Sequence, residues 1–104
     1  MDYRVDFSPE ADAQLQKLYL DIALAGRPVA AESFVSSIID YCEGFSLFPN
    51  RGVQRDDIRP GLRVAGFRHR VTIAFTVGAT NVVILGIFYG GQNWESDLSD
   101  DRPR

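Results

Sequence analysis

The stretch from Val71 to Trp94 contains no charged residue, and it restricts the possible folds more than any other part of the sequence. On length alone such a run could cross a membrane as a helix. It is interrupted midway, however, by Gly78, Ala79, Thr80 and Asn81, and its two halves are rich in Val, Ile, Thr and Phe. β-Branched and aromatic residues suit a pleated, buried surface, and a small polar cluster between two such runs has the composition of a turn. The run therefore predicts two buried strands joined as a hairpin, and no membrane span.

Upstream, the local chemistry punctuates the chain. Tyr3, Val5 and Phe7 alternate with Arg4 and Asp6, the pattern of a short half-buried strand. Ser8 can cap a helix, Pro9 suits its first position, and Glu10 and Asp12 sit where the helix dipole favours negative charge. A helix is predicted from Pro9 to about Leu24, with Ala11, Leu15, Leu18 and Ile22 forming one apolar stripe. Gly26 is placed to end it and Pro28 to open a second, antiparallel helix. That helix carries Ala31, Phe34, Val35, Ile38, Ile39, Cys42 and Phe45 on a wide apolar face and ends near Ser46, before Pro49.

Pro49, Gly52, Pro60 and Gly61 mark the next segment as a loop, with one short strand expected around Ile58. Leu62, Val64 and Phe67 then begin a strand region that the hairpin completes through Tyr89, where Gly90 and Gly91 close the last strand. From Ser96 onward the chain reads as a polar, frayed tail, with no C-terminal helix. The expected fold is α+β: an N-terminal strand, an α-helical hairpin, then an antiparallel sheet of three or more strands with the hairpin on one face. Residues 1–95 would form one domain and residues 96–104 the tail.

At 104 residues and 45% hydrophobic content, the chain can bury a modest core without metal or disulfide help. The single cysteine, Cys42, has no internal partner and falls on the apolar stripe of the second helix, a core position rather than that of a nucleophile. The opening residues are too polar for a signal peptide, so a cytoplasmic location is expected. Net charge is −3 but unevenly placed: residues 1–50 hold eight acids against three bases, and residues 51–70 hold six arginines against two acids. An acidic chain with one lysine is poorly suited to nonspecific nucleic-acid binding, while the basic middle marks an interaction surface.

These pieces resemble the RelE/ParE superfamily of toxins from bacterial type II toxin–antitoxin pairs, often called plasmid-stabilisation proteins. The resemblance runs through Phe7-Ser8-Pro9-Glu10-Ala11, the helical hairpin, Phe48-Pro49-Asn50-Arg51-Gly52, Gly61-Leu62-Arg63, Arg70-Val71-Thr72-Ile73-Ala74-Phe75 and Val82-Val83-Ile84-Leu85-Gly86-Ile87-Phe88-Tyr89. RelE-like members resemble ribosome-dependent mRNA endoribonucleases, whose chemistry needs several cations and proton-transfer groups around a scissile phosphate. Arg63, Arg70 and Tyr89 could fill part of that set, but the segment Gly90-Gly91-Gln92-Asn93 lacks the basic residues that nuclease members carry there. The long hairpin and the absence of a C-terminal helix agree instead with the ParE-like branch. That branch implies a non-enzymatic inhibitor of DNA gyrase held inactive by a ParD-like ribbon-helix-helix antitoxin, with DNA reached only indirectly through the antitoxin. A third reading is an inactive toxin fold that serves only antitoxin binding and operon autoregulation.

Candidate residues for contact with target or antitoxin are Arg63, Arg68, Arg70, Tyr89 and Trp94. On a strand, Arg68 and Arg70 would share one face, as a cationic patch at the sheet edge or as solvated edge charge. Tyr89 and Trp94 could form an aromatic hot spot, or complete the sheet and cover an open core edge. His69, the only histidine, has no acid or nucleophile at useful spacing and is expected to be structural or exposed. One histidine and one cysteine make no metal site, and no cofactor is expected.

Overall fold

The computed structural model describes residues 2–90 and 93–98. The chain runs β1 (Arg4–Phe7), α1 (Pro9–Leu24), α2 (Pro28–Glu43), a 3-10 turn (Gly44–Ser46), β2 (Val53–Gln54), β3 (Leu62–Phe67), β4 (Val71–Val77), β5 (Asn81–Tyr89) and α3 (Trp94–Leu98). The sheet has the order β1-β5-β4-β3-β2. Its late strands are antiparallel, as the short turns require, and β1 joins β5 in parallel, which makes the sheet mixed.

The helical hairpin follows its sequence signals. Ser8 caps α1 by accepting from the Ala11 N–H at 3.1 Å, and Pro9 occupies the first turn. After Leu24 the chain turns through Gly26 at φ +90°, a left-handed position that glycine fills without a Cβ penalty, and Pro28 opens α2. Ala11, Leu15 and Leu18 of α1 and Ile38 and Cys42 of α2 pack with Phe45 on Val71, Ile73, Phe75, Val82, Ile84 and Ile87 of the sheet. Phe45 stacks on Phe75 with ring centroids 4.4 Å apart. Burial, with the nearby Glu43 adding to it, pushes the Cys42 thiol up to about 12, so this cysteine is a core residue with no thiolate chemistry near neutral pH.

Side chains on β4 alternate regularly, with Val71, Ile73, Phe75 and Val77 facing the helices and Ala74 facing away. β5 does not. Ala74 pairs with Gly86 but Phe75 pairs with Ile84, so Leu85 is an extra residue, a β-bulge. Val82 and Ile84 face the helices before it, and Ile87 faces them after it. The start of α1 bonds the outer edge of β5 where its pairing with β1 ends at Ile84. The Ser8 hydroxyl donates to the Leu85 carbonyl at 3.1 Å, the Ser8 N–H donates to the Ile84 carbonyl at 2.9 Å, and Gln14 Oε1 accepts from the Ile87 N–H at 2.6 Å. Gly86 has no room for a side chain, because a Cβ there would lie 2.5 Å from the buried Phe88 ring.

Four expectations change. Ile58 is not in a strand but in a turn beside the second core; the two-residue β2 at Val53–Gln54 is the added strand. Arg68, His69 and Arg70 are not on a strand but form the β3–β4 turn, so Arg68 and Arg70 share no strand face. The frayed tail does not begin at Ser96, since Ser96–Leu98 continue α3 and Leu98 is buried. The expected lack of a C-terminal helix is corrected by that same five-residue element. Leu98 joins Leu62, Ala74 and Phe88 in a small core on the sheet face opposite the hairpin, flanked by Trp94, Leu85, Val64 and Ile58. Gly91, Gln92 and residues 99–104, on which the glycine pair and the rest of the tail fall, lie outside the described residues.

Gln14→Leu leaves the part-buried Ile87 N–H without its acceptor and is expected to lower stability by about 1–3 kcal/mol. Urea denaturation should show a lower midpoint at unchanged slope, whereas the same change at the exposed Gln16 should stay within about 0.5 kcal/mol of wild type.

Candidate functional site

The bulge decides where the last residue of β5 points. A regular alternation from Val82 and Ile84 would put Phe88 on the helical side and Tyr89 opposite; the extra residue reverses this. Phe88 enters the small core and Tyr89 meets α2, its ring edge-to-face with Phe34 at 5.9 Å. Beside it, the chain turns between β3 and β4 through Arg68 at φ 53° and His69 at φ 59°, with the Arg70 N–H donating to the Phe67 carbonyl at 3.2 Å. Two successive left-handed residues define the turn type whose twist matches a β-hairpin, and here neither is glycine. The Gly90 N–H donates to the Arg70 carbonyl at 2.8 Å, so the turn and the end of β5 are fixed to one another.

The result is an open groove of about 660 Å³ between the start of α2 and the β3–β4 turn. Ile22, Ala30, Phe34 and Tyr89 give it apolar surface, Ser33 and Ser37 line α2, and Arg27, Arg68 and Arg70 supply charge from two separate elements. Arg70 Nη1 donates to the Tyr89 hydroxyl at 3.3 Å, and the Arg68 guanidinium lies 5.0 Å from the Phe67 ring. Among the described residues no carboxylate lines the groove and no ion pair involves its three arginines.

Of the residues singled out by sequence, Arg68, Arg70 and Tyr89 come together here. His69 is exposed on the same turn. Arg63 is elsewhere, near the other end of β3, where its Nε donates to the Arg51 carbonyl at 3.1 Å and its Nη2 to the Asn50 carbonyl at 2.6 Å. It ties down the Asn50-Arg51-Gly52 loop, which crosses β3 so closely that a Cβ at Gly52 would lie 2.1 Å from the Val64 carbonyl oxygen. Arg51 itself lies over Tyr41 and Phe48 at 5.5 and 5.2 Å.

Trp94 lies on the opposite sheet face, half-buried against the small core with the Arg55 guanidinium 5.5 Å above its ring. Arg55 bridges Asp57 at 2.9 Å and Glu95 at 3.0 Å, holding α3 to the loop before β3. Trp94 therefore covers a core edge and does not join Tyr89 in one hot spot. Among the groove residues that sequence reading passed over are Arg27, which precedes Pro28 at the start of α2, and Phe34, which reads as ordinary core.

A second groove, about 430 Å³, runs along the hairpin between Leu15, Tyr19 and Leu20 of α1 and Val35 and Ile39 of α2. Leu20 is 54% exposed there. Among the described residues no group of His, Cys, Asp and Glu could hold a metal ion, and no helix is long and apolar enough to cross a membrane.

The fold is shared with chains of solved toxin–antitoxin systems. It superposes on a chain of a chromosomal ParDE toxin–antitoxin system from Pseudomonas aeruginosa with a TM-score of 0.74 at 21% identity, covering 85% of this chain and 96% of that one. A chain of the RelBE2 toxin–antitoxin complex from Mycobacterium tuberculosis gives 0.61 at 20% identity, covering 86% and 99%. Residues 5–94 match the family model of the ParE toxin of type II toxin–antitoxin systems, and the chain belongs to that family. No curated protein matches the sequence.

The Arg55 hydrogen bonds, and more weakly its charge, hold the Asp57 carboxyl below the usual aspartate range. A carboxyl depressed in the folded state contributes stability above its unfolded pKa and loses it as pH falls through the folded one. Fluorescence of Trp94, the only tryptophan, should therefore change on acidification with a midpoint below the ordinary aspartate range, and Asp57→Asn should abolish that step.

Proposed function

We propose that the chain acts by binding DNA gyrase, not by catalysis, and that a ParD-like ribbon-helix-helix antitoxin holds it inactive in the cytoplasm. One observation favours this over the ribonuclease reading. Cleaving RNA needs a proton acceptor, a proton donor and clustered cations at one phosphate. Arg70 and Tyr89 meet, but Arg63 is engaged with the carbonyls of Asn50 and Arg51 near the other end of β3, so the three residues do not form one constellation. A cationic groove with an aromatic wall suits recognition of a protein surface, where Tyr and Arg are enriched.

The partner assignment draws on family membership and on the apolar groove of the hairpin. An amphipathic segment of an antitoxin, ordering as it binds, would cover Leu20, Tyr19, Val35 and Ile39. That the Pseudomonas aeruginosa relative comes from a ParDE system agrees with such a partner.

Purified chain should inhibit gyrase supercoiling and accumulate the cleaved-DNA complex, and added antitoxin should reverse both. In a translation extract, message should remain intact. Ribosome-dependent cleavage that is lost in Arg70→Ala would replace this reading with the nuclease one; inactivity in both assays, with antitoxin binding retained, would leave a partner-binding fold.

A further inference from the structure

The arginine groove is a strongly charged concavity that neither the fold nor the core accounts for. Overall charge does not explain it, since the chain is acidic, with a net charge of −3. Arg27 stands at the start of α2, while Arg68 and Arg70 stand on a turn at the far end of the β3–β4 hairpin. Three cations brought together from such different places repel one another unless something anionic lies between them. The turn also keeps Arg68 and His69 in left-handed backbone, a region that L residues other than Asn and Asp enter rarely.

The lining restricts the ligand further. Guanidinium groups recognise carboxylate and phosphate with paired N–H donors, and Arg70 is oriented by the Tyr89 hydroxyl. Between the arginines the surface is apolar: Phe34, Ile22, Ala30 and the Tyr89 ring. A phosphodiester backbone offers nothing to that surface, and it would also approach a chain whose first 50 residues carry eight acids against three bases. A peptide with carboxylates on either side of an apolar side chain matches both features, and a groove of this size holds a few residues.

We propose that this groove binds an acidic segment of the antitoxin, with carboxylates on Arg27, Arg68 and Arg70 and an apolar side chain against Phe34 and Tyr89. This rests on the toxin–antitoxin reading above. The antitoxin then holds the toxin at two places of different chemistry: an apolar contact along the hairpin that salt leaves intact, and an ionic contact at the turn that salt weakens.

The test uses the full chain and the small protein encoded beside its gene. Affinity is measured by titration at low and high salt for wild type, for Arg27→Gln, Arg68→Gln and Arg70→Gln, for the triple variant, and for Arg4→Gln on β1 as a control. All four arginines are exposed, and thermal unfolding checks that each variant folds. Each groove substitution should weaken the complex about 10-fold or more, the triple variant should lose most of the salt dependence, Arg70→Lys should recover part of the affinity, and Arg4→Gln should bind as wild type does. Unchanged affinity and salt slope in the triple variant would overturn the site and leave the toxin reading standing. Binding of a labelled DNA oligonucleotide by wild type that the triple variant loses would replace the peptide with nucleic acid. If wild type forms no complex with the neighbouring protein, the toxin–antitoxin reading fails first, and this assignment with it.

Discussion

The extra residue in β5 is the constraint on which the rest of the structure depends. A strand buried on both faces must keep its side chains in phase with the sheet, and one inserted residue exchanges the two faces for everything after it. Leu85 does this halfway along β5. Past Ile84, where its pairing with β1 ends, β5 presents backbone groups that are costly inside a protein unless something else bonds them. Ser8 and Gln14 do so, one as the cap of α1 and the other on its second turn. The same contacts therefore fix the strand's phase and seat the helical hairpin on the sheet.

Two consequences follow for function. Phe88 turns into the small core that α3 and Trp94 cover, which gives the sheet a second packed face. Tyr89 turns toward α2, next to Phe34 and Arg70, and supplies the aromatic wall of the arginine groove. The groove combines residues from the α1–α2 connection, the β3–β4 turn and the end of β5, so it exists only when hairpin and sheet are correctly docked. A binding surface made this way resists local rearrangement, because moving Tyr89 would mean moving the phase of a central strand.

Much of the frame was legible in the residues because its signals are local. Ser8, Pro9, Gly26 and Pro28 act through their own chemistry, and α1 begins and ends, and α2 begins, where they direct. The uncharged run divided at Gly78–Asn81 gave β4 and β5. The bulge was hidden because Ile84, Leu85, Gly86 and Ile87 are all apolar, so a slip of phase leaves no polar residue out of place. β2 is two exposed residues long and leaves almost no pattern, and α3 carries only Trp94 and Leu98 as apolar markers. The β3–β4 turn lacks the Asn or Gly that such a turn normally announces, and Arg68 and Arg70 therefore read as strand. Of the groove, Arg68, Arg70 and Tyr89 could be named in advance. Arg27 and Phe34 could not, since their place beside the turn is a product of helix docking, and Arg63 was separated from them by hydrogen bonds to a loop whose path no local signal describes.

The facing of Tyr89 is the most direct test of this account. Proton–proton NMR contacts between the aromatic rings of the folded chain distinguish the two sides of the sheet. Cross-peaks from the Tyr89 ring to the Phe34 ring, together with cross-peaks from Phe88 to Leu98, are the result the bulge requires. Cross-peaks from Tyr89 to Trp94 or Leu98 would place it on the opposite face, and the phase of β5 and the groove built on it would both be wrong.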